Sequence, residues 1–325
     1  MREHGLKRNE GDQRSLRHGR DRYIGFSFES EYMQYMPFFY SAEGNVDYSI
    51  VGNFRGAHAF LICGGPSFNK IDQNLLRNCY TMGLNNSPKS YRPDAWCCVD
   101  QPSRFLRSIW LDPKIQKFVP FDHTEDRLWN STRDDWGPMY RDSKKKDIIK
   151  VRECPNILYY RRNEKFEASR WLWEYTFNWG DHSKWGGGRS VMLAALKILF
   201  VAGFRNVYLL GCDLIMDESN KYHFDENRDR GAQKGNMATY KKMIEFYYPK
   251  LKPHFDQAKY RVYNCNPDSR LKVFPFMPFD EAVRRSTELI GNPAEEISCG
   301  MYRKYEEKTR DLEKDQKVLK EGGVL

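Results

Sequence analysis

One short stretch constrains the fold of this chain more than any other. In residues 59–67 (AFLICGGPS) an apolar run ends abruptly in two glycines, a proline and a serine. The pattern predicts a buried strand that turns directly into a helix beginning near Phe68. Gly64 and Gly65 let the backbone approach a ligand closely, and Pro66 sets the φ angle of a first helical turn. A helix N-terminus at an open strand end suits a phosphate, and the alternative interpretation is a plain tight turn.

Length and composition are those of a globular protein with a large α/β domain. The 325 residues can bury a full core, and contents of 40% hydrophobic and 15% aromatic residues exclude a disordered chain. Eight cysteines occur without a CxxC pair, and several lie in apolar runs, which is typical of a reducing compartment. The longest apolar stretch, residues 191–204, contains Lys197 and is too short to span a bilayer. We therefore expect a cytoplasmic protein without a transmembrane segment.

The charge pattern indicates where the chain divides. Its formal net charge of +9 favours contact with phosphates, nucleic acid or an anionic surface without choosing among them. Residues 1–22 hold seven Lys/Arg and four Asp/Glu with almost no apolar side chain, which predicts a flexible basic arm. We expect the main domain at residues 23–285 and a charged helical extension at residues 286–325.

A second glycine-rich segment occurs at residues 185–213 (WGGGRSVMLAALKILFVAGFRNVYLLGCD). It predicts a glycine-rich helix entry, an apolar helix that ends at Ala202, and a buried strand at residues 206–211 followed by Asp213. If both glycine-rich turns face the same edge of a sheet, two helix N-termini and Arg189 could hold a diphosphate without a metal. The alternative is a glycine hinge before a core helix.

Two polar side chains follow further predicted strands. Asn85 comes after a strand at residues 80–84, about 20 residues past the first glycines, where a dinucleotide-binding unit carries an acidic residue. An amide suits a base or ribose edge better than it suits NAD. Asp100 follows a strand at residues 95–99 and either faces a ligand or caps the next helix.

The acidic residues after the predicted strand at residues 206–211 predict neither a metal site nor a rigid loop. Three apolar residues separate Asp213 from Asp217, so the two carboxylates form no tight pair for Mg²⁺ or Mn²⁺. Residues 217–235 are rich in charge and glycine, and we expect them to form a mobile lid. This loop contains His223, the histidine best placed to act as a base near neutral pH, although a loop histidine is commonly just exposed.

Six segments together resemble one family in order and spacing. They are ICGGPSFNKID, MGLNNSP, PDAWCCVD, GGGRSVMLAALKILFVAGFRNVYLLGCDLIM, YHFD and YNCNPDSRLKVF, and they cover about residues 60–283. The family is the sialyltransferase-like glycosyltransferases with their motility accessory factor-like relatives in bacteria and phages. The resemblance implies a Rossmann-like, mostly parallel sheet with helices on both faces, a variant GT-A-like α/β fold. It also implies a nucleotide-sugar donor as co-substrate, a lid over it, and transfer without a metal or other cofactor.

The resemblance also implies site residues, by match to these motifs. At the donor they are Gly64, Gly65, Pro66 and Ser67 by the phosphate or ribose, Asn85 by the nucleotide, Gly188, Ser190 and Asp213 around the second turn, and Asn266, Pro267 and Ser269 near the base. Tyr222 matches a tyrosine that supports the leaving phosphate, and Ile215 stands where a second such tyrosine is found. The histidine that the sialyltransferases place before the helix matching residues 237–251 is missing here, which leaves Asp100, His223 and Asp229 as candidate bases.

The expected reaction is displacement at an anomeric carbon. A carboxylate or histidine takes the proton of the acceptor hydroxyl, while Arg189 and Tyr222 stabilise the departing phosphate. The acceptor is a glycan, a protein or, given the basic arm, a hydroxymethylated base in DNA. Two other functions remain open: an ATP-dependent diphosphotransferase, and a nucleotide or nucleic-acid binding module without catalysis.

Overall fold

The computed structural model of the chain describes residues 39–128, 149–178, 180, 189–215 and 230–288, with the backbone alone for 230–235. The basic arm, Gly188 and the part of the expected lid that holds Tyr222, His223 and Asp229 lie outside these ranges. The chain divides into two units, residues 1–286 and 287–325. The elements below belong to the first unit, apart from the last residue of the final helix.

A mixed sheet, nine-stranded within the described residues, forms the centre of this unit. Its strands are β1 (Phe39–Tyr40), β2 (Val46–Asp47), β3 (His58–Ile62), β4 (Tyr80–Leu84), β5 (Ala95–Cys97), β6 (Gln116–Pro120), β9 (Ile157–Tyr160), β12 (Asn206–Leu210) and β13 (Arg261–Asn264). Two short pairs lie outside it: β7 (Arg127–Leu128) with β8 (Ile149–Lys150), and β10 (Arg162–Asn163) with β11 (Phe177–Asn178).

The strand order of the main sheet reverses next to β3. The order is β13-β12-β3-β4-β5-β6-β9-β1-β2, and all neighbours from β13 to β9 are parallel, whereas β1 and β2 are antiparallel additions at one edge. From β3 the chain moves outward to β9 and then crosses back to β12 on the other side of β3. In open α/β sheets, ligands bind at the carboxyl ends of the strands where such a reversal opens a crevice.

Helices cover both faces of the sheet. They are α1 (Arg107–Leu111), α2 (Val191–Ala202), α3 (Arg230–Lys242), α4 (Tyr248–Gln257) and α5 (Phe279–Thr287), and a π-helical turn (Met243–Tyr247) joins α3 to α4. One apolar cluster packs α2 and α4 on the face that carries Leu61 and Leu209. Alternate residues of the same strands, Phe60 and Leu210, face α5 in a separate cluster. This two-faced packing confirms the predicted α/β, Rossmann-like class.

Helix α2 is the central crossover element. Ser190 caps its start by accepting a hydrogen bond from the Met192 N–H (3.2 Å), and Gly203 ends it with a φ of +110°. Lys197 is fully buried in this helix, and its Nζ donates to the carbonyls of Glu174 and Thr176. Burial lowers the pKa of Lys197 to about 7.

The predicted helix after Gly65 is wrong in type. The chain forms two 3₁₀-helices instead, Pro66–Lys70 and Gln73–Asn78. The Phe68 N–H donates to the Gly65 carbonyl (3.1 Å) in the first, and the Asp72 side chain caps the second by accepting a hydrogen bond from the Asn74 N–H (3.0 Å). Among the helices that the structure describes, none has the length and apolar character needed to cross a membrane.

Candidate functional site

The ends of β3 and β12 meet closely at the strand reversal. The Gly65 N–H donates to the Gly211 carbonyl (2.8 Å), which continues the pairing of the two strands beyond their ends. A Cβ on Gly65 would lie 2.5 Å from the Gly211 oxygen and 2.7 Å from Asp213 Oδ2. Gly211 itself has a φ of +62°, which ends β12 one residue earlier than predicted. The contact between the two strand ends therefore requires glycine at positions 65 and 211, whatever ligand the crevice holds.

Asp213 holds the glycine-rich turn in place. Its Oδ2 accepts a hydrogen bond from the Ser67 N–H (3.0 Å), and its Oδ1 accepts hydrogen bonds from the Ser67 hydroxyl and from Asn266 Nδ2 (2.8 Å). Within the described ranges, no lysine, arginine or histidine pairs with this half-buried carboxylate. The arrangement joins the first turn, the end of β12 and the loop after β13.

The loop after β13 closes the same end of the crevice. Asn264 Nδ2 donates to the Cys212 carbonyl (3.2 Å), and its Oδ1 accepts from the Asn266 N–H (3.0 Å). The Ser269 hydroxyl is buried and donates to the Cys212 carbonyl (2.6 Å), and the Pro267 carbonyl accepts from Lys272 Nζ (2.8 Å). Thus Asn266 and Ser269 both reach the end of β12, but the Ser269 proton already has an acceptor within the protein.

The N-terminus of α2 lies at the same edge. Met192 Sδ is 4.0 Å from Cys63 Sγ and 3.9 Å from Cys212 Sγ, which places the first turn of α2 against the ends of β3 and β12. Burial raises the pKa of the adjacent Tyr248 well above its usual value, and the Ser190 hydroxyl opposes part of this rise. The described end of the second glycine-rich segment therefore faces the same crevice as the first.

Arg189, the residue before this cap, forms an ion pair with Glu164. The Arg189 Nη1 to Glu164 Oε1 distance is 3.5 Å, and both side chains are partly exposed. An exposed ion pair of this length contributes little to stability.

Unsatisfied polar atoms lie at the carboxyl end of β4, the neighbour of β3. The Oδ1 atoms of Asn85 and Asn86 and the Ser87 hydroxyl are buried and have no hydrogen-bond partner in the part of the chain that the structure describes. The Asn85 backbone has a φ of +49°; its carbonyl accepts a hydrogen bond from Trp96 Nε1 (2.7 Å), and its N–H donates to the Cys97 carbonyl (3.2 Å). Buried polar atoms without partners are uncommon, and a bound ligand or water is one way to satisfy them. Asn86 and Ser87 were not predicted as site residues, although a polar run directly after a buried strand was a signal for them.

Asp100 and a buried histidine lie further along the edge. Asp100 follows β5, and β4 lies between β5 and β3. The Oδ2 of Asp100 forms an ion pair with Arg104 Nη1 (3.2 Å). His123 follows β6, and its Nδ1 lies 2.6 Å from Asp126 Oδ2 and its Nε2 lies 3.3 Å from the Val99 carbonyl. Both ring nitrogens of His123 thus face acceptors within the protein. The described residues hold no group of three or more His, Cys, Asp or Glu side chains suited to a metal ion.

Comparisons with known proteins show a structural similarity to a solved protein. No protein-family model matches the chain, and no curated protein matches it. A MAf glycosyltransferase from Magnetospirillum magneticum AMB-1 is similar in structure, with a TM-score of 0.39 and 13% identity, over 77% of this chain and 40% of that protein's chain. This chain thus corresponds to about 40% of the length of that protein. Similarity at this level establishes no family, and the fold class follows from the strand order and the two-faced packing.

Proposed function

We propose that the chain is a nucleotide-sugar-dependent glycosyltransferase that binds its donor in the crevice between the ends of β3 and β12. The observation that carries this proposal is the strand reversal, because it brings the turn at residues 64–67, Asp213 and the first turn of α2 to one edge of a parallel sheet. Open α/β sheets bind nucleotides at this place.

The unsatisfied atoms after β4 support a nucleotide in particular. Asn85 Oδ1, Asn86 Oδ1 and Ser87 Oγ lie beside the crevice and lack partners among the described residues. The amide oxygens accept hydrogen bonds and the hydroxyl both donates and accepts, which fits the N–H and O–H groups of a base or ribose. Leaving such atoms unpaired costs about 1–3 kcal/mol each, so a ligand that pairs them gains affinity.

The proposed chemistry is displacement at the anomeric carbon without a metal. Arg189 and Tyr222 stabilise the departing phosphate, and Asp100, His223 or Asp229 takes the acceptor proton. Of these bases the structure describes Asp100, whose exposed pair with Arg104 leaves the carboxylate within reach of solvent. The acceptor is a glycan, a protein or a hydroxymethylated DNA base, and the net charge of +9 supports a polyanion.

Thermal unfolding with CMP, UDP, GDP and ATP, each in EDTA, tests the donor site. A nucleotide at about 100 times its Kd stabilises the folded chain by about 2.7 kcal/mol, so we expect one of them to raise the Tm by several degrees. The sugar nucleotide of that base should then release free nucleotide in EDTA. Formation of AMP from ATP only with Mg²⁺ would instead indicate the diphosphotransferase, and binding without turnover would indicate a binding module.

A further inference from the structure

Three N–H groups at the first glycine-rich turn are already bonded within the protein. The Gly65 N–H donates to Gly211, the Ser67 N–H to Asp213 Oδ2 (3.0 Å), and the Phe68 N–H to the Gly65 carbonyl (3.1 Å). A turn binds a phosphate when such N–H groups point at the ligand. These donors are therefore not available to an anion in the conformation observed.

The charge at the crevice is also unfavourable for a phosphate. The Asp213 carboxylate occupies the position that an anion bound to the Ser67 N–H would take. No cationic side chain of the described ranges pairs with it. A second negative group at this place would be repelled, because like charges close together in a partly buried site disfavour each other.

The same carboxylate can still accept a hydroxyl proton. Two carboxylate oxygens offer about four acceptor positions, and Ser67 and Asn266 supply three hydrogen bonds, two of them to Oδ1. Among the described residues Oδ2 accepts a hydrogen bond from the Ser67 N–H alone, so this half-buried carboxylate keeps an acceptor position on that oxygen. A carboxylate only accepts hydrogen bonds, so it selects a ligand group that donates one.

We infer that the β3–β12 crevice takes the ribose of the donor nucleotide and that Asp213 Oδ2 accepts a ribose hydroxyl, which selects ribose over 2′-deoxyribose. The inference rests on the proposed function and deepens it. The strand reversal favours the ribose over the hydroxyls of the transferred sugar, because this is where open α/β sheets hold the nucleotide itself. The phosphate then lies away from Asp213.

Titration calorimetry with the full chain tests the inference. The probes are the ribonucleotide that gives the largest thermal shift, its 2′-deoxy counterpart, and inorganic pyrophosphate. A hydrogen bond to a charged group is worth about a tenfold to hundredfold change in affinity, so we expect wild type to prefer the ribonucleotide by that factor. In Asp213→Asn the ratio of the affinities for the ribonucleotide and its 2′-deoxy counterpart should shrink towards one. This variant should also bind pyrophosphate more tightly than wild type does.

Asp256→Asn is the matched control, because Asp256 is an exposed carboxylate on α4 that pairs with Lys252. It should keep the preference for ribose. Equal affinity of wild type for both sugars overturns the inference and leaves the proposed function standing, and this comparison needs no variant to fold. A preference that survives in Asp213→Asn also overturns it. Failure of every nucleotide to bind wild type overturns the proposed function, and the inference with it.

Discussion

Replacing Gly65 with alanine perturbs the contact between the ends of β3 and β12 without straining the backbone. Gly65 has a φ of −72°, which any residue adopts. The new Cβ would lie 2.5 Å from the Gly211 carbonyl oxygen and 2.7 Å from Asp213 Oδ2, so the strand ends must separate to admit it. Inserting a methyl into a filled site costs about 1–3 kcal/mol, and we expect the free energy of unfolding to fall by that amount.

Urea unfolding followed by circular dichroism measures this loss, and thermal unfolding with nucleotide measures the effect on the crevice. Gly56→Ala is the control, because its Cβ would have nothing within 4 Å although its φ is +78°. It carries a backbone cost of about 1 kcal/mol and no collision. We expect Gly65→Ala to lose the nucleotide-induced rise in Tm and Gly56→Ala to keep it. Wild-type stability and nucleotide response in Gly65→Ala would refute the reasoning.

Three further changes separate stability from binding. Burial lowers the pKa of Lys197 to about 7, whereas a lysine in an unfolded chain has a pKa of about 10.4. Between these pH values the unfolded chain binds more protons than the folded chain, so the contribution of Lys197 to stability rises with pH. The unfolding free energy of wild type relative to Lys197→Met should therefore increase over that range in urea titrations, and a constant difference would contradict this. Asn86→Ala removes a buried oxygen without a described partner, so calorimetry should show about tenfold weaker nucleotide binding while stability stays within about 1 kcal/mol; unchanged affinity would count against a role for Asn86. Ser190→Ala removes the cap of α2 and should cost about 1 kcal/mol in urea unfolding, whereas no loss would show that the cap contributes nothing.

The sequence predicts the elements whose signals are local. The strand at residues 80–84 is β4 without any shift, and α2 ends at Ala202 as expected, because Gly203 supplies the left-handed residue that stops it. The predicted α-helix after Gly65 is wrong because the Phe68 N–H bonds the Gly65 carbonyl, three residues back, and Asp72 caps a second short helix. The bond from Gly65 to Gly211, which is distant in sequence, leaves no trace in the local pattern of residues.

The candidate site is predictable only in part, for the same reason. Strand ends rich in glycine and polar residues single out the turn at residues 64–67 and Asp213, and the family resemblance implies Asn266. The structure brings these residues together. The separation of Asp100 from them depends on the strand order, which places β4 between β3 and β5. The acceptor role of Asp213 towards Ser67 is a tertiary contact and could not be inferred from spacing.

Amide hydrogen exchange with and without a saturating nucleotide tests most directly where the ligand binds. Binding in the crevice should slow exchange at residues 63–68, 85–87, 190–193 and 211–214, which the structure places at the carboxyl ends of β3, β4 and β12 and at the start of α2. A polar cavity beside β9, lined by Asp47, Arg152 and Tyr159 among others, provides the internal comparison. Protection confined to the crevice is the expected result. Protection at residues 152–159 without any at residues 63–68 would contradict the account.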